Sequence, residues 1–161
     1  LSNQNWQVIG SDINSDVLRS ASKGLYTLEN TGNIPENYLK KYCLKGVRSQ
    51  TGTFVIGHQL RQHVAFYQLN LNSTLPELGT FDIIFLRNVM IYFDQQTKIE
   101  LIKHLMPHLK PSGYLFIGHS ESLNRVETKD ENALRCVAPS VYRKCFLLTE
   151  NYPYWEQRVT P

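Results

Sequence analysis

Short apolar runs bounded by polar residues recur along the chain, and such runs predict β-strands. One of them, at 81–86, opens the stretch "FDIIFLRNVMIYFD", and its uninterrupted apolar character predicts a strand buried in the core. The predicted strands are "WQVIGSD" (6–12), "HVAFYQLNL" (63–71), "FDIIFL" (81–86), "YLFIGHS" (114–120) and, after a polar loop, "SVYRKCFLLT" (140–149).

The segment "NSDVLRSASKG" (14–24) predicts a helix between the first two strands. Asn14 or Ser15 can cap its amino end, because a short polar side chain there accepts from unpaired backbone N–H groups. Gly24 can end it, because glycine adopts the left-handed conformation that closes many helices.

A second helix is predicted to begin at Asp94, which can act as its cap, and to run to about Leu109. Pro107 lies late in this segment and is expected to loosen the last turn. Apolar residues spaced three and four apart predict one buried face, formed by Ile99, Ile102, Leu105, Met106 and Leu109.

Residues 31–61 have a different character from the rest of the chain. "IPENYLKKY" predicts a short helix with Pro35 in its first turn, and "CLKGV" and "TFVIG" predict a small antiparallel hairpin around "RSQTG". Elsewhere, strands alternate with helices, which predicts a mostly parallel α/β sheet. We therefore expect one α/β domain in which residues 31–61 form an inserted β-subdomain.

Composition narrows the class of protein. The chain has 161 residues, is 42% hydrophobic and 19% charged, and contains no apolar run approaching the roughly 18 residues of a membrane helix. Its net charge of +3 comes without a Lys/Arg block, so nucleic acid is not an expected partner. Cys43, Cys136 and Cys145 form no CxxC pair and leave an odd thiol, which favours a reducing, cytoplasmic setting.

Polar residues follow several of the predicted strands at their carboxyl ends, where open α/β sheets bind ligands. Asp12 directly precedes a helix, and a carboxylate in that place suits the two hydroxyl groups of a ribose. A helix-capping role for Asp12 is the alternative. The strand-end residues are Asp12, then Asn70 with Leu71, then Arg87 with Asn88, then His119 with Ser120.

Two other kinds of site are disfavoured. "GHSES" (118–122) resembles a nucleophile elbow, but Ser122 stands where that turn normally has glycine, and no histidine follows His119. His104 and His108 are four residues apart on a predicted helix and could share a metal ion, but there is no HExxH glutamate and no identifiable third ligand. We expect them to be surface histidines and expect no metal site.

The chain resembles the catalytic domain of the chemotaxis receptor methyltransferases, the CheR family, over most of residues 6–144. The motifs most specific to the family are "RNVMIYF" and "LKPSGYLFIGHSE". The motif "SDI" alone would be weak evidence for the family. The stretches that carry the resemblance are "VIGSDINSDVLRSASKGLYT", "FYQLNL", "FDIIFLRNVMIYFD", "HLMPHLKPSGYLFIGHSES" and "VYRK". The resemblance implies a Rossmann-like class I S-adenosylmethionine-dependent methyltransferase sheet, with residues 31–61 as the family's small antiparallel subdomain that helps to dock the receptor.

The resemblance also implies an activity. Family members transfer a methyl group from S-adenosylmethionine to glutamate side chains on cytoplasmic helices of methyl-accepting chemotaxis receptors, forming methyl esters and S-adenosylhomocysteine. By position, the resemblance implies that Asp12 binds the ribose and that Asn70 and Leu71 line the adenine pocket. It implies that Arg87 and Asn88 lie near the methionyl part and the transferred methyl group. Tyr92 would lie close to the reacting carboxylate. A core aromatic is the alternative for Tyr92.

Such a reaction makes little demand on proton transfer. A glutamate with a pKa of about 4.3 is already ionised at neutral pH, so the nucleophile needs no general base. The enzyme has to align a carboxylate oxygen with the methyl–sulfur bond and exclude water. An arginine and a tyrosine hydroxyl are suited to holding that carboxylate.

The chain also departs from the family. A first strand, a glycine-containing cofactor loop and a helical N-terminal domain are expected before Trp6, and none of the nine glycines forms GxG. We therefore expect a partial domain whose sheet edges are open to association, and we expect residues 1–161 alone to bind S-adenosylmethionine poorly and to be inactive. Residues 145–161 match no recognisable motif. A non-catalytic, methyltransferase-like module that docks a receptor or signalling partner is the second functional class.

Overall fold

Among the residues that the structure describes, two pairs of neighbouring strands are parallel, one on each side of residue 71. The computed structural model describes residues 5–119, 121, 123 and 134–145, and the chain divides into two compact units at Leu71 and Asn72. The first unit contains β1 (Val8–Asp12), α1 (Ser15–Lys23), β2 (Leu25–Thr27), α2 (Glu36–Tyr42), β3 (Cys43–Lys45), β4 (Thr53–Ile56), α3 (His58–Arg61) and β5 (Val64–Gln68). The second contains β6 (Phe81–Leu86), α4 (Gln95–Leu105), β7 (Leu109–Ile117), β8 (Leu134–Ala138) and β9 (Val141–Lys144).

In the first unit, β1 and β5 pair in parallel from Val8 opposite Val64 to Asp12 opposite Gln68. The helix predicted between these strands is confirmed as α1. The Asn14 side chain caps it, and Gly24 ends it in the left-handed conformation with φ 62°.

The inserted segment forms a three-stranded antiparallel sheet in the order β2-β4-β3. The predicted hairpin is confirmed as β3 and β4, but β2 also belongs to this sheet, so the sheet begins at Leu25 rather than after residue 31. Pro35 stands at the amino-cap position of α2, just outside its first turn. Sequence pattern missed β2 because its three residues acquire strand geometry only by pairing with β4.

In the second unit, the sheet is mixed and has the order β6-β7-β9-β8. The pair β6/β7 is parallel, whereas β7/β9 and β9/β8 are antiparallel. The "KPSG" stretch, predicted as a turn, lies inside β7, with Ser112 at φ 64°. The strand β8 falls in a segment that was predicted to be loop.

The helix α4 begins as predicted, because the Asp94 carboxylate accepts from the backbone N–H of Thr97 at 2.8 Å. It ends at Leu105, and a 3₁₀ turn over Met106–His108 carries Pro107. The predicted apolar face is buried at Ile102, Leu105, Met106 and Leu109, and half-buried at Ile99.

The strand β6 is not buried on both faces, contrary to the prediction from its apolar run. Alternate residues of a strand point to opposite faces. Leu86 is 4% exposed, whereas Phe85 is 69% exposed and stacks on the ring of Phe116 with centroids 4.9 Å apart. An apolar run alone does not reveal that only one face of a strand is covered.

The described strands form three sheets rather than one continuous sheet. Within the described residues, β1 pairs only with β5 and β6 pairs only with β7. No helix in the described part of the chain is long and apolar enough to span a membrane. Cys43, Cys136 and Cys145 are all unpaired.

Lys144 joins β9 to the end of α4. Its side chain is buried, and its Nζ donates to the carbonyl oxygens of Met106 at 2.7 Å and Leu109 at 2.8 Å. Burial lowers the pKa of this ammonium group, so its desolvation opposes the two hydrogen bonds.

We predict that Lys144→Met lowers the free energy of unfolding by about 1 to 3 kcal/mol, because two buried carbonyl oxygens lose their donor. Urea denaturation measures the change, and Lys103→Met, on the exposed side of α4, serves as the control with little expected effect. A more stable Lys144→Met variant would show that desolvation of the ammonium outweighs its hydrogen bonds.

Asp94 makes the stability of the second unit pH-dependent. The hydrogen bond from the Thr97 backbone is the main cause that lowers the pKa of this carboxyl in the folded protein. A lowered pKa stabilises the fold above the unfolded-state value of about 3.9 and loses that contribution as pH falls through the folded-state value. Asp94→Asn, which keeps an uncharged cap, should therefore flatten the acid limb of unfolding free energy against pH. Identical acid limbs for both proteins would contradict this.

Candidate functional site

The carboxyl ends of β1 and β5 lie side by side. Asp12 is the last residue of β1, and its carbonyl oxygen accepts from the backbone N–H of Leu69 at 3.0 Å. Asn70 and Leu71 follow directly. This pairing brings Asp12, Asn70 and Leu71 to the same edge of the parallel pair, which is the arrangement that the sequence predicted for the nucleoside part of a ligand.

The Asp12 carboxylate does not cap α1. Its Oδ1 accepts from the backbone N–H of Asn14 at 2.8 Å, while the Asn14 side chain accepts from Asp16 at 2.8 Å and Val17 at 3.4 Å. The capping alternative for Asp12 is therefore wrong. Its Oδ2 has no hydrogen-bond partner among the described residues, so that oxygen can accept from hydroxyl groups.

Neighbouring contacts hold this edge in place. The Gln68 side chain donates to the carbonyl oxygen of Ile13 at 2.9 Å, tying the end of β5 to the segment after β1. Asn70 is exposed, and Leu71 is half-buried. An amide that both donates and accepts, beside an apolar side chain, is suited to the edge and the face of a heterocycle.

The carboxyl end of β6 carries the second group of predicted residues. Arg87 and Asn88 are exposed, and Asn88 adopts φ 60°, a left-handed conformation that asparagine tolerates better than most residues. Met90, which is 1% exposed, anchors the following 3₁₀ turn in the core, whereas Tyr92 is 81% exposed. The alternative that Tyr92 is a core aromatic is therefore wrong.

The Arg87 guanidinium makes no hydrogen bond or ion pair within the part of the chain that the structure describes. Because it is exposed, it needs no buried counter-charge. Its five N–H donors can hold a carboxylate by paired hydrogen bonds. The polar interruption of "FDIIFLRNVMIYFD" is therefore not a defect in the core.

Glu121 is a site neighbour that the sequence analysis missed. Its Oε2 accepts from the backbone N–H of Gly118 at 2.6 Å, directly after β7, and its own backbone N–H donates to the Gly118 carbonyl oxygen at 3.0 Å. A Cβ on Gly118 would lie 2.6 Å from Glu121 Oε2 and 3.2 Å from Asn88 Oδ1. A side chain at 118 would therefore displace the Glu121 carboxylate, and the ends of Glu121 and Asn88 both approach the same point beside Gly118.

The disfavoured sites gain no support from the described residues. Ser120 and Ser122 lie outside them, and His119 is exposed. His104 and His108 are half-buried rather than on the surface, and Nδ1 of His108 lies 3.0 Å from the carbonyl oxygen of Gly79. Among the described residues there is no group of three or more potential metal ligands.

A cavity of about 340 Å³ lies in the first unit, and none of the predicted site residues lines it. Its lining includes Val64, at the start of β5, together with Gly24, Tyr26 and Arg61. Asp12 and Asn70 lie at the other end of the β1/β5 pair. Its concave shape would favour the cavity as the binding site. The polar groups at the strand ends favour the carboxyl edge instead, and we assign the candidate site to that edge because its side chains can recognise a polar ligand.

The predicted residues therefore fall into two groups. Asp12, Asn70 and Leu71 belong to the first unit, and Arg87, Asn88 and Tyr92 belong to the second. One group presents a carboxylate oxygen and an amide, and the other presents a guanidinium, an amide and a phenol.

Comparisons with known proteins agree with this chemistry. The family described as CheR methyltransferase, SAM binding domain, matches residues 2–137. The chain is 41% identical over 127 residues to a chemotaxis protein methyltransferase of Escherichia coli, covering 77% of this chain and 44% of that protein. It is 36% identical over 137 residues to chemotaxis protein methyltransferase 2 of Pseudomonas aeruginosa, covering 84% and 48% respectively.

Among solved structures, a SAM-dependent methyltransferase from Methanosarcina mazei matches with a TM-score of 0.41 and 22% identity, over 88% of this chain and 63% of that one. This likeness is too weak to carry an argument. The chain spans about half the length of the curated relatives it matches. The sequence match over residues 2–137 is decisive: the chain belongs to the CheR methyltransferase family, to its SAM-binding domain.

Proposed function

We propose that the protein transfers a methyl group from S-adenosylmethionine to glutamate side chains of chemotaxis receptors, forming methyl esters. The observation that carries this proposal is the family match across residues 2–137. The chemistry of the two groups of strand-end residues is compatible with it.

The residues of the first unit fit the nucleoside half of the cofactor. Asp12 keeps one carboxylate oxygen without a partner among the described residues, and the ribose of S-adenosylmethionine offers two hydroxyl donors. Asn70 and Leu71, at the same edge, would line the adenine pocket. When bound, the cofactor supplies an electrophilic methyl group on a sulfonium.

The residues of the second unit fit the charged partners of the reaction. Arg87 would hold a carboxylate by charge-assisted hydrogen bonds, and Asn88 would lie beside the methionyl part. The exposed Tyr92 hydroxyl would orient the glutamate side chain of the receptor. No residue needs to act as a base, because that glutamate is already ionised at neutral pH.

The proposed partners are the glutamate-rich cytoplasmic helices of chemotaxis receptors, which also implies a cytoplasmic enzyme. Between Glu36 and Glu77 the chain contains five lysines and arginines and no acidic residue. This basic stretch, which includes most of the inserted sheet, suits an acidic helix surface. Self-association is a further proposed contact, through the edges of β1 and β6 that carry no partner strand among the described residues.

The direct test is methyl transfer from radiolabelled S-adenosylmethionine to the cytoplasmic domain of a receptor, using protein expressed from its complete coding sequence. Label on the receptor that is released as methanol by mild base identifies a glutamate methyl ester. Base-stable label would indicate methylation of nitrogen instead. Cofactor binding without any transfer would favour a non-catalytic docking module.

We predict that Asp12→Ala weakens binding of S-adenosylhomocysteine by about 1.5 to 3 kcal/mol, the range for a hydrogen bond to a charged group. Calorimetry measures this loss. Asp16→Ala, an exposed change in the first turn of α1, is the matched control and should leave the affinity unchanged. Equal affinity of wild type and Asp12→Ala would remove Asp12 from the ribose site.

We predict that Tyr92→Phe lowers turnover at least about tenfold while changing cofactor affinity less than about twofold, since its hydroxyl would act only on the receptor glutamate. The side chain is 81% exposed, so its hydroxyl contributes little to folding. Tyr114→Phe, at a tyrosine 38% exposed within β7, is the control. Parallel losses in turnover and cofactor affinity would instead assign Tyr92 to the cofactor site.

A further inference from the structure

Glu121 is held tightly at one oxygen and unsatisfied at the other. Its Oε2 accepts the short hydrogen bond from Gly118, whereas its Oε1 is buried and has no hydrogen-bond partner among the described residues. A buried carboxylate oxygen without a donor is costly, because it has lost its water and gained nothing in exchange. We therefore expect a hydrogen-bond donor close to Glu121 Oε1.

The Asn88 amide ends close to the same part of the Gly118 backbone. Its Oδ1 lies 3.2 Å from the point where a Cβ on Gly118 would stand, and Glu121 Oε2 lies 2.6 Å from the same point. In the observed rotamer, the Asn88 atom closest to this point is the acceptor Oδ1, and a carboxylate beside it could pair with the amide only through an N–H. Rotating the amide by 180° exchanges oxygen and nitrogen without moving the rest of the side chain, and directs two N–H donors that way.

Several hydrogen bonds hold the turn after β7. The Gly118 carbonyl oxygen accepts from Glu121 N–H and from the Ser140 hydroxyl at 3.2 Å, and Ser140 in turn accepts from the Ile117 backbone at 3.0 Å. Asn88, by contrast, is exposed and left-handed, and its side chain makes no other described hydrogen bond. The hydrogen-bonded turn can therefore orient the less constrained Asn88.

We propose that Glu121 is a positioning residue for Asn88: its carboxylate bridges the Gly118 N–H and the Asn88 amide, and so fixes the turn that presents Arg87 and Asn88. The expected effect of Glu121 on cofactor binding rests on the proposed function. The contact between Glu121 and Asn88 does not rest on that function. Glu121 touches no reacting atom in this assignment and acts only through Asn88.

A double-mutant cycle tests the assignment, using Glu121→Ala, Asn88→Ala and the double variant of protein expressed from its complete coding sequence. Calorimetry with S-adenosylhomocysteine measures affinity, and urea denaturation measures the free energy of unfolding. Glu121→Ala should weaken binding about tenfold when Asn88 is present and less than about twofold in the Asn88→Ala background, because coupled residues are non-additive. Glu121→Gln should restore affinity, because its amide can accept from Gly118 and donate to Asn88 Oδ1.

Glu100→Ala, an exposed change on α4, is the control and should alter neither quantity. Additive losses of affinity from Glu121→Ala and Asn88→Ala would overturn the positioning role. If wild-type protein binds no S-adenosylhomocysteine, the proposed function fails, and the unfolding cycle alone decides the contact. Coupling in unfolding free energy then supports the contact, and its absence overturns it.

Discussion

Parallel pairing of neighbouring strands is the constraint on which the candidate site depends. Because β1 and β5 run in the same direction and end in register, with Asp12 opposite Gln68, the residues that follow both strands leave the sheet at one edge. The pair β6/β7 does the same with Leu86 opposite Ile117, so Asn88 and the turn at Gly118 become neighbours. If the strands of each pair were antiparallel, the residues that follow them would leave the sheet at opposite edges.

Buried apolar anchors keep those polar residues in place without burying them. Met90 occupies the core two residues after Asn88, which fixes a segment whose functional side chains remain exposed. Elsewhere in the second unit, the Lys144 ammonium donates to the backbone carbonyl oxygens of Met106 and Leu109 and so holds the end of α4 at the start of β7. The site thus depends on packing that lies outside it.

Local signals in the sequence were the reliable ones. Asn14, Gly24 and Asp94 act through atoms within a few residues, so their capping roles could be predicted from spacing alone. The strands β2 and β8 escaped prediction because distant partners complete them. The one-sided burial of β6 depends on what covers the sheet, and Glu121 was missed because its partner is a backbone N–H, which leaves no trace in composition.

The candidate residues of the first unit offer a hydrogen-bond acceptor, and those of the second unit offer donors. This difference explains why the proposed methyl transfer would need few residues. Methyl transfer to an ionised carboxylate requires no proton to move, so the protein has only to hold groups of opposite hydrogen-bonding character. In the first unit, Asp12 offers an acceptor, which matches the hydroxyl groups of a ribose. In the second unit, Arg87 and Tyr92 offer donors, which match a carboxylate. A hydrolase or a metalloenzyme would need a base, a nucleophile or a ligand cluster in addition. The exposed residues at the strand ends include both kinds of group, so the proposed methyl transfer calls for no base, nucleophile or metal ligand in addition to them.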